Sequence, residues 1–314
     1  MTSTTSLSKA ERRRLKVAEQ EAARRRAERR RQLIRGGVIA LATLVLVSIV
    51  VLLATRGDDA GGEAPASAPT VGGDLHTVTS IESALFVGGH DAVAVSHDDG
   101  QSWQQVDSLD GADAMGWAVT PDAVLVGGHP GLFRSTDDGA TFSQVSDVSF
   151  TDVHALGGTG TTVYLASPQA GLLASIDGGE SWEVRNAEAG RSFMGTLLVD
   201  PRDPQRLIAP DMSGALAVST DGGSSWESLG GPQGAMAADW NPTNPDQIVA
   251  VGMDGAARTT DGGATWQDLD VPNGTSAIAY TDNGNALVAA VLQEEQAVTY
   301  RSIDDGVTWT ATAS

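Results

Sequence analysis

Beyond residue 73 the apolar residues of this chain come in short runs, most alternating with polar positions and each closed by Gly, Pro, Asp or Asn. The clearest runs are Leu85-Phe86-Val87, Ala123-Val124-Leu125-Val126, Val163-Tyr164-Leu165-Ala166, Leu207-Ile208-Ala209, Ile248-Val249-Ala250-Val251 and Leu287-Val288-Ala289-Ala290. Runs of that length, bounded by turn residues, predict strands rather than helices. In the second unit they predict a four-stranded meander, with strand A over 115–120, B over 123–126, C over 131–135 and D over 141–145.

Between strands C and D one phrase returns six times. It begins as Ser96-His97-Asp98-Asp99-Gly100-Gln101-Ser102-Trp103 and recurs as Ser135…Phe142, Ser175…Trp182, Ser219…Trp226, Thr259…Trp266 and Ser302…Trp309. Its Asp falls at 98, 137, 177, 221, 261 and 304. Steps of about 40 residues are the period of propeller blades. Residues 73–314 therefore predict an all-β, six-bladed β-propeller. Each unit supplies its own four strands, so the pattern leaves the closure of the ring open.

The phrase resembles the Asp box, or BNR repeat, of sialidases, xyloglucan-active glycosidases, the sortilin propeller and photosystem-assembly propellers. The chain is most similar to small membrane-anchored bacterial Asp-box propellers grouped with glycosyl hydrolases. The resemblance implies that Asp98, Asp137, Asp177, Asp221, Asp261 and Asp304 are structural: the Asp accepts backbone hydrogen bonds, the Gly takes a conformation open to Gly, and the aromatic packs between sheets. It implies hydrolase activity only by analogy of fold. The Arg triad that sialidases share is missing, because Arg134, Arg258 and Arg301 precede their boxes on strand C and only Arg191 approaches the other end.

A second pattern precedes the strands. Residues 1–35 hold twelve Lys/Arg, and residues 38–55 carry no charge. With its flanking glycines the apolar run, 36–57, is long enough for a transmembrane helix. The basic cluster before it predicts a cytoplasmic N-terminus and a body outside. An uncleaved signal anchor fits this better than a cleaved signal peptide, whose charged region would be shorter. Residues 58–72 read as a flexible linker. The expected protein is thus a single-pass bacterial membrane protein with its propeller in an extracytoplasmic space. After Gly57 there are 36 Asp/Glu against seven Arg and no Lys. That balance excludes nucleic acid as a partner of the propeller and favours cationic ligands.

The start of strand A and the end of strand B lie at the end of the blade opposite the box, around the mouth of the axial channel, where propellers take ligands. Aligned on the boxes, His76, His90, His129, His154, Met115, Met194, Met212, Met236 and Met253 all fall at these two positions. Thioether with imidazole is a soft to borderline ligand set that suits copper, Cu(I) above all. Asp74, Asp113 and Asp152 lie beside them and keep zinc open. The same three are the candidate carboxylates of a glycoside hydrolase. The leading expectation is a non-catalytic binding protein acting through this funnel, with copper or another soft metal as its ligand. A glycoside hydrolase and a scaffold docking an envelope protein are the alternatives.

Overall fold

The computed structural model describes residues 68–312 apart from 147, 149 and 150. The basic segment 1–35, the apolar span 36–57 and the linker up to residue 67 lie outside them. Among the described residues no helix is long and apolar enough to cross a membrane.

The strands form six antiparallel meanders arranged as the blades of a β-propeller. Blade 1 comprises Leu75–Ile81, Ala84–Gly89, Val93–Ser96 and Gln104–Gln105, and blade 6 Thr275–Tyr280, Leu287–Gln293, Gln296–Ser302 and Thr310–Ala311. Strand D is shorter than the apolar pattern predicts, only Ser143–Gln144 in blade 2, because it lies outermost with its side chains in water. Strand B is buried along its whole length in blades 1 and 2, since both of its faces meet a neighbouring sheet.

Six apolar clusters hold the ring together, each between two successive blades. Phe86 of blade 1 packs with Trp117, Val126 and Phe142 of blade 2. Leu125 and Leu132 of blade 2 pack with Leu156 and Leu165 of blade 3, and the order continues round the ring. Truncating one such fully buried leucine to alanine costs about 2–5 kcal/mol. The sixth cluster joins Val78, Val87 and Ala94 of blade 1 to Ala279, Val288 and Ala297 of blade 6. Closure therefore comes from packing rather than from a strand shared between the first and last blades.

The segment just before blade 1 reinforces that seam. The Val71 N–H donates to the Glu295 carbonyl at 2.8 Å, and the Ala297 N–H donates to the Pro69 carbonyl at 2.9 Å. Val71 is fully buried in the cluster between blades 6 and 1. Residues 69–71, expected as the end of a free linker, are thus fastened to the body, which begins earlier than residue 73. An apolar valine among small polar residues is the local cause.

All six boxes share one geometry. The box Asp accepts the backbone N–H four residues on at 2.8–2.9 Å and that residue's hydroxyl at 2.5–2.7 Å. The opening Ser or Thr donates to the same carboxylate and accepts the box Gly N–H. At Gly139, φ is +85° and a Cβ would fall 2.9 Å from the Phe86 ring, so the position is closed to other residues twice over. The box aromatic packs between its own blade and the preceding one, as the resemblance implies. Accepting these bonds holds the Asp98, Asp137, Asp221, Asp261 and Asp304 carboxyls down at about 2, with Asp177 likewise depressed, the hydroxyl bonds being foremost.

Candidate functional site

At the opposite end of the blades the inner strands begin irregularly. In blades 1, 5 and 6 the register between strands A and B slips at His76, Met236 and Ser276. A bulge re-aims the extra residue, and these three side chains line one cavity of about 140 Å³ with Asp74, Leu75, Met115, Met194, Gly195 and Met212. Met115 and Met194 arrive from blades 2 and 4, just ahead of their first strands.

The floor of this cup is backbone. In blade 4 the inner strand is broken: Gly195–Thr196 leaves its own sheet and runs parallel to Ala155–Thr159 of blade 3, and only Leu198–Val199 pairs within blade 4. Gly195 has φ +68°, and a Cβ there would lie 2.8 Å from the Met236 carbonyl oxygen and 3.8 Å from that of Met115. The chain thus crosses the axis between blades 2 and 5. This requires glycine, and it leaves below the cup only a narrow space of about 20 Å³.

The nine expected His/Met side chains do not form one ring. Five line the cup: His76, Met115, Met194, Met212 and Met236. Met253, 75% exposed, lies outside and covers Gly234 instead. The remaining histidines belong to a polar crescent over blades 1–3. There His90 Nδ1 lies 3.1 Å from Asp113 Oδ1, and His154 Nε2 lies 3.1 Å from Asp152 Oδ1. His129 is exposed, and its carbonyl accepts the Asp113 N–H at 2.9 Å.

His76 links the two halves. Its ring centroid is 6.3 Å from that of His90, and donor atoms of His76, His90 and Asp113 all lie within 4.8 Å of one another. Its Nε2 is buried without a hydrogen-bond partner. Burial lowers the His76 pKa despite the nearby Asp74 and Asp113, which favours the neutral imidazole. Burial also raises the Asp113 carboxyl above its ordinary value, against the pull of His90.

Negative charge at this mouth lacks arginine or lysine partners. Each of the seven Arg among the described residues is engaged elsewhere. Arg134, Arg185, Arg258 and Arg301 bind the box of the following blade. Arg202 and Arg206 hold Asp200, and Arg191 donates to the Pro168 and Ala187 carbonyls. A carboxylate-binding Arg triad is therefore absent among the described residues, in line with the sequence.

Two features of the axis escaped the sequence reading. Gly195 is one. The other is Asp239, enclosed on strand A of blade 5 in the space beneath the cup, where it keeps a little surface toward the channel. Burial pushes its carboxyl up to about 7, although it accepts the N–H groups of Tyr280 at 2.8 Å and Trp240 at 2.9 Å. A lone acid in the apolar stretch Ala237-Ala238-Asp239-Trp240 was the available signal.

Neither a protein-family model nor a curated protein matches the sequence. Solved structures do. The chain is similar to a GH74 xyloglucanase from Xanthomonas campestris at 19% identity and TM-score 0.54, covering 79% of this chain and 46% of that one. It is similar to a chain of a nidogen/laminin complex at 11% identity and TM-score 0.58, covering 72% and 91%. YCF48 bound to D1 peptide aligns at 17% identity and TM-score 0.48, covering 79% and 88%. At these identities the likeness is one of fold, and this chain spans less than half of the xyloglucanase.

Proposed function

We propose that this chain is a non-catalytic binding protein whose propeller takes one basic side chain of a partner protein into the methionine cup. The observation that carries the reading is the form of the cup: blind, about 140 Å³, walled by four methionines and edged by Asp74. Pockets for drug-sized ligands run to about 300–1,000 Å³, whereas about 150 Å³ holds one benzene-sized group. A lysine or arginine fits such a space because its aliphatic stem can lie on thioethers while its charged head reaches a carboxylate. Asp74, Asp113 and Asp152 supply carboxylates at this mouth, and the arginines among the described residues are engaged elsewhere.

A panel of short peptides differing at one central residue tests this, titrated into the full-length protein with a chelator present. Lys and Arg peptides should bind best, more weakly as salt rises, and Asp74→Asn should weaken them about tenfold or more. Equal binding of Lys, Leu and Glu peptides would overturn the reading.

A second reading, glycoside hydrolysis by two of Asp74, Asp113 and Asp152, draws support from the raised pKa of Asp113, which suits a general acid. Against it, His90 holds Asp113 and His154 holds Asp152. Turnover of a glycoside that disappears in Asp113→Asn would put this reading in place of the first.

A further inference from the structure

The geometry points to a divalent-metal site at the edge of the cup, formed by His76, His90 and Asp113 and suited to zinc. Three donors from two adjacent blades converge there: the first strand of blade 1 brings His76, the end of its second strand brings His90, and the residue ahead of blade 2 brings Asp113. Zinc bonds of about 2.0–2.1 Å place tetrahedral donors about 3.4 Å apart. His90 Nδ1 and Asp113 Oδ1 already stand 3.1 Å apart, and all three donors fall within 4.8 Å. The His90 side chain is 61% exposed, so solvent reaches the trio, and that of Asp113 is 14% exposed. Closing the trio from 4.8 Å to bonding geometry needs side-chain shifts of about an ångström.

Two further observations favour a cation there. His76 has a buried ring nitrogen, Nε2, with no hydrogen-bond partner among the described residues, and a buried polar atom is destabilising unless something satisfies it. The surroundings are also anionic, with Asp74 beside His76 and no arginine or lysine within the site. Two imidazoles and one carboxylate form a borderline set that suits zinc and leaves a coordination position open. The proposed trio draws on no methionine, which distinguishes it from a Cu(I) centre built on thioethers. The site shares His76 and Asp113 with the mouth proposed for the basic side chain, so bound zinc would weaken that binding. The peptide titration with chelator present and the zinc titration without peptide tell the two failures apart.

Titration of the untagged full-length protein with zinc against a chromophoric chelator tests the site. One zinc per chain should bind, and His76→Ala and Asp113→Asn should each weaken it by at least about tenfold. His97→Ala, at the box end, should leave it unchanged. Cobalt(II) in place of zinc should give the visible absorption of a low-symmetry site in the wild type and lose it in His76→Ala, with thermal unfolding confirming that the variant is folded. Zinc binding indifferent to His76→Ala and Asp113→Asn, or no binding in competition with a weak chelator, would overturn the proposal. So would Cu(I) binding that depends on Met115 and Met194 but not on Asp113 when zinc does not bind.

Discussion

At the box end Ser96, Ser135, Ser175, Ser219, Thr259 and Ser302 occupy equivalent positions and make the same bonds to the same carboxylate. At the funnel end the residues at or just ahead of the first positions of the inner strands are His76, Met115, His154, Met194, Met236 and Ser276, and they differ from blade to blade. A turn that must close a hairpin and seat an aromatic against the preceding blade has one chemical solution, so it is copied. An opening at the axis has no such duty, and its residues differ from blade to blade. Six-fold repetition therefore marks scaffold in this protein, and departure from it marks the place to look for binding.

The comparison is broken most severely at Gly195, where the funnel end depends on one backbone position as strictly as a box does. Gly195→Val adds a branched side chain at positive φ against the Met236 carbonyl and should cost about 3 kcal/mol or more, read as a drop in the thermal midpoint. Gly73→Ala, with open space around it, is the control and should change little. Tolerance of valine at 195 would mean that the chain does not cross the axis there.

Acid and base distinguish the two ends next. The box carboxyls, depressed to about 2 from 3.8, contribute stability that is present above the unfolded value and lost as pH falls toward 2. Asp239 runs the other way. Its carboxyl, raised to about 7, gives a contribution that is full below about pH 4 and lost as pH rises through 7. Stability should therefore peak near about pH 4–5, and Asp239→Asn should flatten only the limb between about pH 4 and 7, by on the order of 2–4 kcal/mol. Asp113, also raised by burial, contributes a limb of the same sign, so a neutral limb unchanged in Asp239→Asn would exclude Asp239 as its main source.

A smaller and more uniform effect is expected from the boxes themselves. Ser96→Ala, Ser135→Ala and Ser219→Ala each strand a buried glycine N–H and should cost about 1–3 kcal/mol, alike in all three blades. Unequal losses, measured by denaturant unfolding, would show that the repeats are not energetically equivalent.

How far the sequence revealed this follows from how local each feature is. The boxes were legible because the bonds that close each turn, from Ser or Thr to Asp and Gly and from Asp to the hydroxyl residue four on, lie within eight consecutive residues, and their spacing counted the blades. Strand C of blade 2, Gly131–Ser135, was placed to the residue because the box fixes its end. The funnel was legible only in height. Counting back from the boxes brought His76, Met115, Met194, Met212 and Met236 to one level, but which way each side chain turns is set by bulges at residues 76, 236 and 276 that leave no local mark. Met253 satisfied the same count and points outward. Ser276 was missed because serine carries no metal or catalytic signal, and Gly195 because a glycine among 37 gives no hint that its backbone crosses the axis.

The central claim is that the funnel end binds and the box end does not. The most direct measurement is titration of a lysine-centred peptide into the wild type, into Asp74→Asn and Met115→Gln at the funnel, and into Ile303→Ser and Val307→Ser at the box end, where both side chains are exposed. The expected result is binding lost in the first pair and kept in the second. Binding kept in the first pair and lost in the second would contradict the account.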